Sequence, residues 1–137
     1  MVLLVNCNKQ SRIYAIGNPL SYRGMTLSWQ GRQLTQSVKS GQTIKYTYDA
    51  DGFRASKTVS GTKQTFQYLG GKLMYENRGD GKELYDSYDS YGNLSCIRYH
   101  NGSDYLIYYT VCNSREDVEA LYGGSGSLVV IFPIELR

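Results

Sequence analysis

The chain has 137 residues, the length of one ordinary domain, and its 41% hydrophobic and 20% charged residues exclude an unfolded polypeptide. Fourteen Tyr stand against 3 Phe and 1 Trp, and 15 Gly against 2 Pro, a composition of strands joined by tight turns. The net charge of +3 is scattered, with no Lys/Arg cluster that would form a nucleic-acid patch, and no apolar stretch approaches a membrane span.

Residues 1–13 have no repeat character. The apolar run from Val2 to Val5 is too short for a secretory signal core and has no small-residue cleavage site after it, so no export address is expected. Residues 14–130 are different. Glycines recur at Gly31, Gly41, Gly52, Gly61, Gly71, Gly81, Gly92 and Gly102, at intervals of 9 to 11 residues. Each sits in turn company, such as Ser40-Gly41, Asp51-Gly52, Asp80-Gly81 and Asn101-Gly102, and the segments between them have the length of a strand.

Those segments alternate with a strand's period of two. Ile44, Tyr46 and Tyr48 share one face, with Thr43, Lys45 and Thr47 on the other. Phe66 and Tyr68 alternate with Thr65 and Gln67. Tyr105, Ile107, Tyr109 and Val111 form another apolar face. The spacing predicts an all-β chain, an antiparallel meander of repeated hairpins with tight turns at the glycines.

A second period is twice as long. Aromatic residues stand at Trp29, Tyr48, Tyr68, Tyr88 and Tyr108, so the repeating unit is about two strands and the turns alternate between two kinds. In TYDADGF at 47–53 and SYDSYGN at 87–93, Asp49 and Asp89 precede Gly52 and Gly92 by the same spacing. An aspartate there can accept hydrogen bonds from the turn's backbone N–H groups. The tyrosine before it can lie across the neighbouring strand. The turns VSGT, GDGK and HNGS are plainer.

Other groups carry little chemistry. His100 lies in a His-Asn-Gly-Ser turn and is expected at an exposed hairpin tip, too mobile for a catalytic triad. Turn chemistry accounts for most acids among Asp80, Asp86, Asp89 and Asp104, and their spacing does not match a calcium loop. Cys7, Cys96 and Cys112 lack metal-site spacing. A Cys96–Cys112 bridge would require their strands to pair, and small buried thiols are the expectation. Ser114 with Asp117 could cap a short helix through SREDVEALY at 114–122, but the repeat register favours strand-turn-strand. The Gly-rich stretch 121–127 lacks the Gly-Lys-Ser/Thr of a phosphate loop. No catalytic, cofactor or metal site is expected. The run Leu128 to Phe132 is apolar and uncharged, and predicts self-association through an open strand edge.

The motif YTYDADGFRASK resembles the tyrosine-aspartate (YD) repeat of Rhs (rearrangement-hotspot) and wall-associated proteins, whose pattern is Y-x-Y-D-x-x-G-R/N about every 20 residues. Tyr46, Tyr48, Asp49 and Gly52 match it, followed by Phe53 and Arg54; Tyr88, Asp89, Gly92 and Asn93 match again. Degenerate copies lie at 28–34, 67–73 and 121–129. NSREDVEAL at 113–121 resembles a family stretch N-x-x-G-D-V, with Glu116 in place of the glycine. The resemblance implies a ribbon that coils into a shell around a toxic domain in secreted or cell-surface bacterial proteins. This chain would be a partial shell, a structural segment and not an enzyme, with flanking repeats or a toxin domain as partners. The family's D-P-x-G-R type core motif has no counterpart here, and residues 131–137 read as a tail, so the chain looks like an internal fragment. The alternative is a binding module whose tyrosine faces hold cell-wall carbohydrate or a partner protein.

Overall fold

The computed structural model describes residues 17–131. Among them there is no helix, and twelve strands follow one another in chain order. The chain divides into two compact units, Met1–Gly61 and Thr62–Arg137. The first holds β1 (Ser21–Tyr22), β2 (Met25–Gln30), β3 (Gln33–Lys39), β4 (Gln42–Tyr48) and β5 (Arg54–Val59). The second holds β6 (Thr62–Leu69), β7 (Lys72–Asn77), β8 (Glu83–Tyr88), β9 (Leu94–His100), β10 (Tyr105–Cys112), β11 (Val118–Gly123) and β12 (Leu128–Ile131). Within each unit every strand pairs antiparallel with the next, so each unit is a meander of hairpins.

All eight of the regularly spaced glycines have positive φ, from 57° at Gly31 to 103° at Gly102. Only glycine enters that region without a Cβ penalty, which is why hairpin turns recur where it does. The alternation in β4 holds from Ile44 onward, while Thr43, on the opposite face, is half-buried as well. Ile44, Tyr46 and Tyr48 are half-buried, whereas Lys45 and Thr47 are exposed. The segment 113–121 is strand-turn-strand, with β10 ending at Cys112 and β11 starting at Val118.

Among the described residues neither unit packs a deep core. Leu27 and Ala120 are the buried apolar residues among those described, and Ser37 and Ser56 the buried polar ones. Both serines have partners: Ser56 Oγ shares a 2.6 Å hydrogen bond with Thr47 Oγ1, and Ser37 Oγ lies 3.3 Å from Tyr46 OH. Tyr105, Ile107, Tyr109 and Val111 do share a face of β10, but that face is exposed. No helix among the described residues is long and apolar enough to cross a membrane.

Some hairpins carry a β-bulge, a single unopposed residue that bends the strand and increases its twist. The register shifts at Ser28/Trp29, Thr47/Tyr48, Gln67/Tyr68, Ser87/Tyr88, Val111/Cys112 and Leu121/Tyr122. The pairings of β3–β4, β7–β8 and β9–β10 have no shift. The 20-residue aromatic period therefore marks bulges as far as Tyr88. Tyr108 departs from it, lying inside regular pairing opposite Ile97, and the bulge falls at Cys112 instead. β10, at eight residues, carries the ladder past the aromatic position.

In β12 the bulge leaves Val129 unopposed, between Leu128 opposite Tyr122 and Val130 opposite Leu121. The tail from Phe132 onward, like residues 1–16 and Cys7, lies outside the described residues.

Candidate functional site

The residues singled out in the sequence meet in one repeated local device, a turn followed by a bulge. In the first copy Asp49 N donates to Phe53 O (2.8 Å) and Gly52 N to Asp49 O (3.1 Å). The Asp49 carboxylate accepts from the amides of Asp51 (3.0 Å) and Phe53 (2.9 Å). The second copy repeats this: Asp89 N bonds Asn93 O, Gly92 N bonds Asp89 O, and Asp89 Oδ1 accepts from Tyr91 N and Asn93 N at 2.9 Å each. One oxygen thus satisfies two turn amides, a charge-assisted arrangement that fixes the hairpin's exit.

A third copy occupies 113–117. Asn113 Oδ1 takes the aspartate's place, accepting from Arg115 N (2.8 Å) and Asp117 N (3.1 Å), and Glu116 stands in the glycine's place at φ 69°. A bare fourth copy has only the backbone bonds, Gly123 N to Ser127 O and Gly126 N to Gly123 O. Glu116 is strained, since a side chain in the left-handed region costs about 1–2 kcal/mol while glycine pays only part of that back in unfolded-state entropy. Glu116→Gly is expected to stabilise the chain by about 0.5–1 kcal/mol on that balance, read as a higher urea midpoint at constant slope.

The residue before each turn reaches back to the preceding bulge. Tyr48 OH donates to Leu34 O (2.8 Å), and Leu34 is the residue opposite Trp29 where β2 and β3 slip register. Tyr88 OH donates to Leu73 O (2.6 Å), opposite Tyr68 at the β6–β7 slip. Cys112 plays this part in the third copy, its Sγ lying 3.4 Å from Leu94 O, opposite Tyr88 at the β8–β9 slip, and Thr110 Oγ1 donates to the same carbonyl. Trp29 Nε1 similarly donates to Pro19 O at 2.8 Å. Within two bulges a hydroxyl adds a second bond, Thr35 Oγ1 to Ser28 O and Ser95 Oγ to Ser87 O, both 3.1 Å. These links tie each turn to the bulge that precedes it within the same unit. They could not be read from the sequence because they depend on a register set by other strands.

The tyrosines are interleaved with cations as well as with one another. Arg54 lies over the Tyr46 ring (4.4 Å), Lys72 over Tyr88 (4.9 Å), and Arg98 over both Tyr85 (4.6 Å) and Tyr105 (5.1 Å). Lys72 Nζ also donates to Gly92 O at 2.7 Å, joining the second turn to β7. Tyr75 and Tyr85 pack with ring centres 5.0 Å apart.

A second cluster, not anticipated as a unit, runs across β7 to β10. The Tyr75 hydroxyl donates to the Glu83 carboxylate, and Tyr85 OH reaches it at 3.4 Å. The hydrogen bond to Glu83 and burial push the Tyr75 phenol above its usual range; burial and the Glu83 charge do the same for Tyr85. His100 belongs here, and not at an exposed tip: it ends β9, its side chain is 21% exposed, its ring lies 4.5 Å from Tyr105, and its Nδ1 is 3.7 Å from Glu83. The registers Glu83↔His100 and His100↔Tyr105 draw it inward from the turn.

Asp86 is the acid that turn chemistry does not explain. It sits within β8, and burial, then the Glu76 charge, raise its carboxyl above the usual range. A raised folded value means stability that is present below the unfolded value and lost as pH rises through the folded one. Ionised Asp86 therefore costs stability at neutral pH. Asp86→Asn is expected to melt higher than the parent at pH 7, with the gap closing as pH falls below about 4; thermal melts across that range read it.

Cys96 and Cys112 are free and half-buried, not deeply buried. Cys96 lies opposite Tyr109, three residues before Cys112 in β10, so strand alternation places the two thiols on opposite faces. Among the described residues no group of three or more His, Cys, Asp or Glu side chains is placed to hold a metal ion. No protein-family model matches the chain, and a search of curated proteins finds no match.

Proposed function

We propose that this chain is a length of structural wall, built from repeated hairpins in the manner of the YD repeats of Rhs-type shells, with flanking repeats or an enclosed domain as its partners. The observation that carries the reading is the turn-and-bulge copy at 49–53, 89–93 and 113–117, in which Tyr48, Tyr88 and Cys112 each cap a carbonyl at the preceding bulge. Such a device extends by adding copies. Sheets with so few buried side chains also call for cover from something else, which a larger shell and its contents would supply. Secretion or display at the cell surface belongs to the same proposal.

The DNA flanking the coding segment tests it. Further copies spaced like these, in the same or a shifted frame, support a wall; flanks without any such copy sink the reading. A second reading has its own observation. Tyr105 and Tyr109 are 56% and 50% exposed on one strand face beside Arg98, a surface that suits a pyranose ring or a partner protein. Saturable binding of cell-wall polysaccharide that is lost in a Tyr105→Ala/Tyr109→Ala double variant would favour this binding module over the wall.

A further inference from the structure

We propose that the turn between β9 and β10 is a self-modifying site, at which Asn101 converts to aspartate and isoaspartate through a cyclic imide formed with the Gly102 amide. Among the described asparagines, Asn18, Asn77, Asn93, Asn101 and Asn113, only Asn101 is followed by glycine. Glycine lacks a side chain to block the approach of its nitrogen to the Asn101 Cγ, and at φ 103° Gly102 uses a backbone region that other residues avoid. Residues 101–104 are exposed, so water reaches both the amide proton and the imide.

The turn also favours the attack electronically. Asn101 Oδ1 accepts hydrogen bonds from Ser103 N (2.9 Å) and Asp104 N (2.8 Å). When the deprotonated Gly102 nitrogen bonds to Cγ, the carbonyl π pair moves onto Oδ1, and those two N–H groups face the negative charge that develops there. They act as a small preorganised oxyanion hole. Collapse of that intermediate breaks the Cγ–Nδ2 bond, and the amide nitrogen leaves as ammonia after taking protons from water. Water then opens the five-membered imide at either carbonyl, giving aspartate or isoaspartate. The net change is one water consumed and one ammonia released, with no redox step.

The product adds a negative charge beside Asp104. In its isoaspartate form it also inserts a methylene into the main chain, between the amide that bonds Asp104 O (3.1 Å) and the strand whose Tyr105 faces His100. The hairpin that ends the Glu83–His100–Tyr105 cluster thus carries a slow, one-way change of charge and, in the isoaspartate form, of main-chain length.

Asn113 is an internal comparison. Its Oδ1 accepts from two amides in the same way, but Ser114 follows it and crowds the nucleophile. The test incubates the intact chain in mildly alkaline buffer, folded and in urea side by side, and maps peptides by mass spectrometry with a separation that resolves isoaspartate. Conversion at Asn101 is expected to run about tenfold faster folded than unfolded, a small part of what such donors supply in a water-excluded site. In the folded chain it is expected to outpace Asn113. Conversion at Asn101 that is equal or slower in the folded state overturns the proposal, and so does an Asn113 that keeps pace.

Discussion

Gly79→Ala is expected to be strongly damaging to the second unit, costing about 3 kcal/mol as the sum of left-handed strain and overpacking. Gly79 has φ 75° in the turn between β7 and β8, where its N–H bonds Asn77 Oδ1 at 2.8 Å. A Cβ there would overlap the Lys63 carbonyl oxygen, with the carbonyl carbon at 3.0 Å and Thr62 Cγ2 at 3.1 Å. The obstacle is mostly backbone, belonging to β6, so a side-chain rotation cannot clear it. Gly81 in the same turn is the comparison: its φ is 82° but a Cβ would meet open space. Gly81→Ala should therefore lose only the conformational part, about 1–2 kcal/mol. Urea midpoints of the two variants separate clash from strain. Equal losses would mean that β6 and the turn do not approach as described.

The contrast between those two glycines shows which parts of the fold a sequence can carry. Gly81 lies on the ten-residue period, and turn chemistry alone predicts its positive φ. Gly79 lies off that period, and its constraint comes from Lys63, a contact that exists only after β6 and β7 have paired. The same division runs through the site. Asp49 and Asp89 are legible because their partners lie within four residues, whereas Asn113 with Glu116 is marked only by the resemblance of 113–121 to the N-x-x-G-D-V stretch. The bulges were not legible, since a register shift is a property of two strands. The sequence marks Cys112 only as a small buried side chain, whereas the structure leaves it half-buried and gives its thiol the place of Tyr48 and Tyr88. His100 was assigned to a tip by its Asn-Gly neighbours, whereas pairing with Glu83 and Tyr105 keeps it on the sheet. The alternation that marked Tyr105, Ile107, Tyr109 and Val111 gave their common face correctly but could not say whether that face is covered.

Gly52→Val is the matching expectation for the first unit, and it tests the turn itself. Gly52 sits at φ 87° and closes the first copy by donating to Asp49 O. The nearest atom to an added Cβ is Gln33 Nε2 at 4.0 Å, so space is not the limit. Conformation is: a β-branched residue in the left-handed region is a true outlier, and the loss should be about 2 kcal/mol or more. To escape it, the valine must leave that region. The Gly52 N–Asp49 O bond would then open, and the Asp49 carboxylate would lose its hold on Phe53 N, which aligns β5 after the turn. Thr62→Val, at an exposed strand position, should stay within about 0.5 kcal/mol of the parent. Glu116 sets the scale from the other side. The third copy already tolerates a straight-chain residue at the equivalent φ of 69°, so Gly52→Glu should cost less than Gly52→Val. An order of melting midpoints with Thr62→Val highest, Gly52→Glu next and Gly52→Val lowest is the expected result. If Gly52→Val melts with Thr62→Val, residue 52 does not require positive φ, and the likeness of the turns at 49–53 and 113–117 loses its physical basis.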